Sequence, residues 1–551
     1  MALEFNSRRS PVYARHGMVA SSQPLASEIG LQILKGGGNA IDAAIAITAA
    51  LNVTEPCSTG LGGDCFLLYY NAETKTVEAL NGSGRSPQAL TLAKAKDEAA
   101  RRSGVDPAML KALPSDDVHT VTVPGSAAGW YDAMEKWGTM KLSDVLAPAI
   151  KLAEEGFPVA DVAAYLWKQG KSQLSNKKNG GELLINGEAP KPGQIFKNPY
   201  LANALKVLAT DGKKGFYGGW PGNAIVEVVQ EQGGVLSKKD LLDHESTFPE
   251  PISVKYKGVD VFEVPPNGQG ITALMALNML QINKDMKHNS TSHLHHLIEV
   301  MRLAFIDARH YVADTEHSDV PIKELLSEAY ANKRRKLLDK DRAVVSVSKG
   351  CPFASSDTVS FQVVDSFGNA VSMVNSNYEG FGSGIVPKGC GFSLQNRGAN
   401  FSLVEGHPNA LEPNKRPYHT IIPGMSTKDG NFFATFTVMG GFMQPQGHVQ
   451  VMSNILDFGM NPQAALNASR FCVLDGNGNG YIAVEDGVDP AVVDKLIEMG
   501  HKIFVKDGKK LMQGSIRTDI FGRGQVILKN QESGVLCAGS DGRADGLAIG
   551  W

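Results

Sequence analysis

Apolar positions in the opening stretch recur with a helical period. Leu25, Ile29, Ile33 and Leu34 share one face, and Gly36 to Gly38 end the element. Asn39 reads as the cap of a second helix over Ala40 to Leu51, with Asp42 at N3 suiting its positive end. That helix is rich in Ala and Ile nearly all round, which predicts a place between two layers. The glycine loop Gly60 to Gly63, with Asp64, leads into an apolar strand over Cys65 to Tyr70. Val121 to Val123 predicts a short strand and turn ahead of a helix from Ala127 to Trp137. Ser143 predicts the cap of the next helix, with Leu146, Ile150, Leu152 and Ala153 as its stripe and Gly156 and Pro158 as its end. Helices are also predicted over Ile271 to Leu280, Leu294 to Tyr311, Gln446 to Phe458 and Pro462 to Arg470.

In the second half the period changes to that of strands. Val359 to Val364 is rich in β-branched and aromatic residues, Ser366 to Asn369 is a turn, and Ala370 to Val374 is the return strand. Just before this hairpin, residues 331–357 are charged and then small and polar. That predicts an exposed segment, as does the Gly-, Lys- and Asn-rich stretch 175–190.

A chain of 551 residues, 42% hydrophobic and 20% charged, has the composition of a globular enzyme and the length of several domains. A net charge of -3 argues against nucleic acid as the main partner. The basic run Lys333 to Lys336 reads as a solvated helix end. The first ten residues have no apolar core of a signal peptide, and no run is long enough to cross a bilayer. With six scattered cysteines (Cys57, Cys65, Cys351, Cys390, Cys472 and Cys537) and no close pair, the expectation is a cytoplasmic protein with reduced thiols and no membrane partner.

Three motifs suggest chemistry and do not hold it. The Gly60 loop has no Lys-Ser/Thr and precedes a strand, so it is not a phosphate loop. His288, His293, His295 and His296 are close in sequence, but only His293 and His296 share a helical face and no carboxylate is at ligand spacing. Asp475 to Gly480 mimics a calcium loop, yet it lies between predicted strands.

The run Asp365-x-x-Gly368-Asn369-Ala370-Val371, then Phe381 to Gly384, Asn414 to Pro417 and Gly440-Gly441, resembles the γ-glutamyltransferase (glutathione hydrolase) family of N-terminal nucleophile hydrolases. The resemblance runs from about residue 10 to about residue 550, through Asn81 to Pro87 near the start and Ala538 to Ala548 near the end. It implies an α+β fold, a four-layer αββα sandwich with two stacked, mainly antiparallel sheets between helical layers. It also implies self-cleavage between Asp357 and Thr358. Residues 1–357 would then form a large subunit and 358–551 a small one, the two staying together as one composite domain. The chemistry suits the residue: a Thr hydroxyl needs a base, and a freed α-amine on the same residue, with an ordinary pKa of about 7.7–8.0, supplies one. No metal or organic cofactor is then required.

The resemblance assigns Thr358 as nucleophile, Ser376 as its hydroxyl neighbour, and the Gly440 and Gly441 N–H groups as the oxyanion hole. The pocket is less faithful. Asn400 stands where an acidic residue holds the substrate ammonium, Arg397 where a Gln is usual, and Tyr378 where an Asn is usual. His419 and Thr420 replace paired serines, Ser83 replaces an Arg with Arg85 two positions away, and Asn396 completes the lining. The expectation is a self-processing γ-glutamyl hydrolase or transferase acting on glutathione and related amides, with water or an acceptor amine as second substrate. The alternative is an acylase for dicarboxylic monoamides such as glutaryl amides, favoured by the altered charges. The third reading is a non-catalytic binding protein, which would remain uncut.

Overall fold

A computed structural model describes residues 9–282, 284–344, 357–478, 480–505, 508–512 and 519–551. Cys351, Asn479, residues 345–356 of the segment expected to be exposed, and the side chain of Asp357 lie outside that description. Two large sheets form the centre. Their strands in chain order are β1 (Val12–Ala14), β2 (Met18–Ser21), β3 (Asp64–Asn71), β4 (Thr76–Gly82), β5 (Ile252–Tyr256), β6 (Val259–Glu263), β7 (Asp357–Val364), β8 (Ala370–Tyr378), β9 (Gly424–Lys428), β10 (Asn431–Met439), β11 (Arg523–Lys529), β12 (Leu536–Ser540) and β13 (Leu547–Gly550). The six-stranded sheet has the order β13-β2-β7-β8-β3-β4, and the seven-stranded sheet β1-β12-β11-β10-β9-β6-β5. Every neighbouring pair in both is antiparallel.

The period of two along β7 sorts its residues between layers. Val359, Phe361 and Val363 face outward into the helices α1 (Pro24–Lys35), α2 (Ala40–Thr54), α3 (Ser126–Trp137) and α4 (Leu142–Glu155). Ser360 and Gln362 alternate with them; Gln362 donates to Thr437 Oγ1 across the sheets at 2.8 Å and accepts from Thr435. Thr358 falls on this same inner face. The inter-sheet core is closed by Phe66, Leu68, Val364, Met425 and Ile527, and a third apolar layer packs α5 (Gly270–Met279), α6 (Thr291–Tyr311) and α7 (Met443–Leu456) on the second sheet. The expected four-layer αββα sandwich is therefore what the chain forms.

Local predictions hold where the signal is local. Asn39 and Asp42 make a full capping box, and α2 is buried along its whole length, as an all-round apolar helix should be. Three expectations need correction. Val121 to Val123 is extended but pairs in neither sheet; its backbone packs against Gly84, and the Val123 carbonyl accepts from Gln395. The helix expected to be capped by Ser143 starts at Leu142 with Lys141 as cap. The 175–190 stretch is only partly exposed: it contains a 3-10 turn at Gly180–Leu183, and Glu182 holds the Gly389 and Gly391 N–H groups. The five described cysteines form no disulfide with one another and are all buried, and no described helix is long and apolar enough to cross a membrane. Among the described residues, no His, Cys, Asp and Glu group has a metal-holding arrangement; His295 instead pairs with His501 at 2.7 Å.

The chain's end is tied in by one buried carboxylate. Asp541 accepts from Arg470 Nη2 at 2.6 Å, Arg543 Nη1 at 3.0 Å and Gly524 N at 2.9 Å. Burial alone would raise its carboxyl, but Arg470 and Arg543 overcome that and hold it at about 2. An unfolded Asp titrates near 3.9, so this contribution is full above about pH 4 and fades as pH falls towards 2. Asp541→Asn is expected to cost about 3–5 kcal/mol by leaving Arg470 uncompensated, and to remove that acid limb. Denaturant midpoints measured from pH 2 to 7 check both; a variant as stable as the wild type at pH 7 contradicts the assignment.

Candidate active site

The hairpin that supplies Thr358 and Ser376 is longer than its apolar pattern suggests. β8 continues past Val374 through Asn375, Ser376 and Asn377 to Tyr378, all buried. Polar residues persist there because each has a partner: Asn375 Oδ1 accepts from Trp130 Nε1 at 3.1 Å, and its Nδ2 donates to Thr59. The β7–β8 register shifts between Asn375 and Tyr378, a bulge opposite Thr358. A bulge re-aims side chains, and here Thr358 Oγ1 and Ser376 Oγ lie 3.0 Å apart. Tyr378 closes the bulge at φ +81, a left-handed conformation costly for an aromatic residue, and its N–H donates to Ser376 Oγ at 2.8 Å.

Arg397 is the second fixed point. It is fully buried, donates to Thr420 Oγ1 at 2.6 Å and to Ser376 Oγ at 3.2 Å, and lies 4.5 Å over the Tyr378 ring. Burial lowers its pKa to about 10, and the nearby Asp64 carboxylate limits the fall, so it stays charged at neutral pH. Ser376 Oγ thus accepts from the Tyr378 N–H and from Arg397, and lies within hydrogen-bond distance of Thr358 Oγ1.

The glycine pair is reached through the same network. Gln269 Nε2 donates to the Thr420 carbonyl at 2.6 Å and to the Gly441 carbonyl at 2.8 Å, so a continuous path joins Thr358, Ser376, Arg397, Thr420, Gln269 and Gly441. Gly440 and Gly441 have φ +126 and +55, a turn that L side chains rarely adopt. Neither N–H donates to any described group. The pair sits just before α7, so the positive end of a helix dipole adds to two available donors, as an oxyanion requires.

Residues 26–551 match the family described as Gamma-glutamyltranspeptidase. The chain belongs to the γ-glutamyltranspeptidase family. It is 35% identical over 540 residues to the glutathione hydrolase-like YwrD proenzyme of Bacillus subtilis (strain 168), across 97% of this chain and 98% of the relative. It is 29% identical over 559 residues to the acylase ACY 1 proenzyme of Pseudomonas sp. (strain SE83), across 99% and 95% of the two. The crystal structure of cephalosporin acylase from Bacillus halodurans superimposes with a TM-score of 0.88 at 41% identity, covering 100% of this chain and 98% of that one. The fold is that of the N-terminal nucleophile hydrolases.

Among the residues read from sequence, this family member brings together Thr358, Ser376, Tyr378, Arg397, Asn400 and Thr420, with Gly440 and Gly441 one link away. Three others turn elsewhere. Arg85 pairs with Glu316 at 2.9 Å, and Asn396 Nδ2 donates to Ser115 O and Glu379, each at 3.0 Å. His419 Nε2 donates to Asp64 Oδ2 at 3.0 Å. Burial and Arg397 lower His419 to about 4, so it is neutral; burial would raise Asp64, but His419 and Arg397 keep it below its ordinary value. Asp64 also accepts from Gly84 N, Gly125 N and Gln395. Sequence reading passed over Asp64, Gln395 and Gln269 as site residues; the signal available was a carboxylate directly after the glycine loop at the start of an apolar strand. A hollow of about 510 Å³ lined by Glu182, Ile185, Phe196 and Tyr200 shares no residue with this site.

Thr358→Ala is expected to remain one chain and to turn over nothing, because one hydroxyl serves both steps. Ser376→Ala is expected to slow both by about 10²-fold, the scale of a positioned proton-transfer group. Denaturing gels and initial rates decide; cutting at Asp357–Thr358 in Thr358→Ala removes the assignment.

Proposed function

We propose that the protein is a self-processing N-terminal-threonine amidohydrolase whose preferred acyl group ends in a carboxylate and has no α-ammonium. The observation that carries this is a surplus of donors beside the nucleophile. Asn400 Oδ1 already accepts from the Tyr378 hydroxyl at 2.9 Å, which leaves its buried Nδ2 without a partner. The buried Arg397 Nε is unpartnered too. Two idle donors, one on a permanent cation, call for an acceptor such as a carboxylate. An ammonium would need acceptors, and Asn400 offers only a neutral amide oxygen that already accepts from Tyr378, without the charge of a carboxylate. The likeness to a cephalosporin acylase and to an acylase proenzyme supports the same reading. The second reading, γ-glutamyl amides including glutathione, is favoured by the glutathione hydrolase-like relative.

In processing, Thr358 Oγ1 attacks the Asp357 carbonyl carbon, the C–N bond breaks, and the resulting ester is hydrolysed by water to the Asp357 carboxylate and a free Thr358 amine. Thr358 is only 1% exposed in the uncut chain, in keeping with a precursor. In turnover, Thr358 Oγ1 attacks the substrate carbonyl while the α-amine takes its proton. The Gly440 and Gly441 N–H groups meet the developing O⁻, and the departing amine leaves with the proton. Water, or an acceptor amine, then resolves the acyl ester. Fragments 1–357 and 358–551 would stay joined, because β7 and β8 lie between β2 and β3, and β9 to β12 between β1 and β6.

For the processed enzyme, kcat/KM on glutaryl p-nitroanilide is expected to exceed that on the γ-glutamyl anilide by about 10-fold or more, the worth of one charge-assisted contact. Asn400→Asp is expected to reverse the order. Equal or opposite wild-type rates favour the γ-glutamyl reading.

A further inference from the structure

Gln269 has a place in the hydrogen-bond network but no part in the chemistry above. It is the residue just before α5 and is fully buried. Its backbone is pinned to the segment that carries Thr420: His419 N donates to Asn267 O, and Gln269 N donates to His419 O, each at 2.9 Å. Both N–H groups of its side-chain amide are used, on the Thr420 and Gly441 carbonyls, and Oε1 accepts from the Tyr418 hydroxyl at 3.0 Å. Two carbonyls at one end and a hydroxyl at the other fix which end of the amide is nitrogen.

The two carbonyls differ in what else holds them. The Thr420 segment has anchors of its own: the two His419 backbone bonds, Asp64 on the His419 ring, and Gln444 Oε1 on Ile422 N at 2.9 Å. Gly440 and Gly441 lie past Met439, the last paired residue of β10, at positive φ where a glycine backbone is soft. Their carbonyls accept from Met443 N at 2.9 Å and Gln444 N at 3.2 Å, in the first turn of α7. Among the described residues, Gln269 is the one side chain hydrogen-bonded to the pair. It belongs to the expected large fragment and the pair to the small one, so this bond would join the two after the cut.

We infer that Gln269 is a positioning residue for the reaction: it ties the Gly441 carbonyl to the Thr420 segment and so holds the glycine N–H groups where the transition-state O⁻ forms. Donors preset in this way cost no reorganisation at the moment of reaction. Loss of the tie falls on the transition state and spares the acyl pocket, where Arg397 and Thr420 keep their own bond. The inference rests on attack by Thr358 and on the oxyanion role of Gly440 and Gly441, as proposed above, and not on which acyl group is preferred.

The test compares a ground-state ligand with a transition-state ligand in the processed enzyme. The first is the free acyl acid, glutarate or glutamate, measured by calorimetry. The second is the matching boronic acid, with boron in place of the acyl carbonyl carbon, measured by inhibition. Thr358 Oγ1 adds to boron, its proton passes to the α-amine, and a boron hydroxyl takes the place of the O⁻. In Q269M, boronate affinity and kcat/KM are expected to fall together by about 10- to 100-fold, up to the scale of one lost oxyanion donor, while the free acid binds as in the wild type. Y418F, which removes the hydroxyl on Gln269 Oε1, is expected to show the same pattern at about 3- to 10-fold, and it decides if Q269M does not fold. Unchanged boronate affinity, or an equal loss for acid and boronate, overturns the inference. Wild-type rates and boronate binding report on the proposed reaction, whereas the variant-to-wild-type ratio reports on Gln269, so a failure of one is told apart from a failure of the other.

Discussion

Everything in this molecule that bears on function is organised by the 3.0 Å contact between Thr358 Oγ1 and Ser376 Oγ. It exists because two strands joined by a tight turn fall out of register opposite Thr358, and because a strained Tyr378 fixes the end of that bulge. The two sheets hold the hairpin from both sides, with Gln362 bonded to Thr435 and Thr437 across the gap. A hydroxyl pair in open solvent would wander; this one is 1% exposed at Thr358 and 0% at Ser376.

A buried cation lies beside the pair. Among the described residues no carboxylate touches Arg397; its charge is balanced at a distance by Asp64, which is itself held by His419, Gln395 and two backbone N–H groups. Desolvating a guanidinium is expensive unless its field and hydrogen bonds are used. In the proposed function, a substrate carboxylate meets the two unpartnered buried donors, Arg397 Nε and Asn400 Nδ2. The same buried arrangement keeps His419 neutral, so it acts as a hydrogen-bond donor to Asp64 and not as a base.

Much of this was legible in the chain. The hairpin from Val359, the glycine pair before a helix and the all-round apolar α2 follow from short-range pattern, and the Thr with Ser376 and Arg397 followed from the order of motifs. What the sequence did not yield depends on separation. Asp64 and His419 are 355 positions apart, and Gln269 links Thr420 and Gly441 from another fragment. Nothing in local periodicity joins them. The end of β8 was missed because Asn375 to Asn377 break the apolar alternation; their partners are long-range, and only tertiary structure makes polar residues comfortable there. Val121 to Val123 has strand propensity, but the Val123 N–H donates to Arg85 O and its carbonyl accepts from Gln395 while its backbone packs against Gly84, so tertiary contacts win over local preference.

The central claim is that the residue exposed by the cut is the residue that attacks. Intact-mass and peptide-mass analysis of the small fragment, quenched early in turnover of an amide substrate, tests it most directly. The account predicts a fragment that begins at Thr358 and carries the acyl mass on its first residue. A fragment beginning elsewhere, or an acyl group on any other residue, contradicts it.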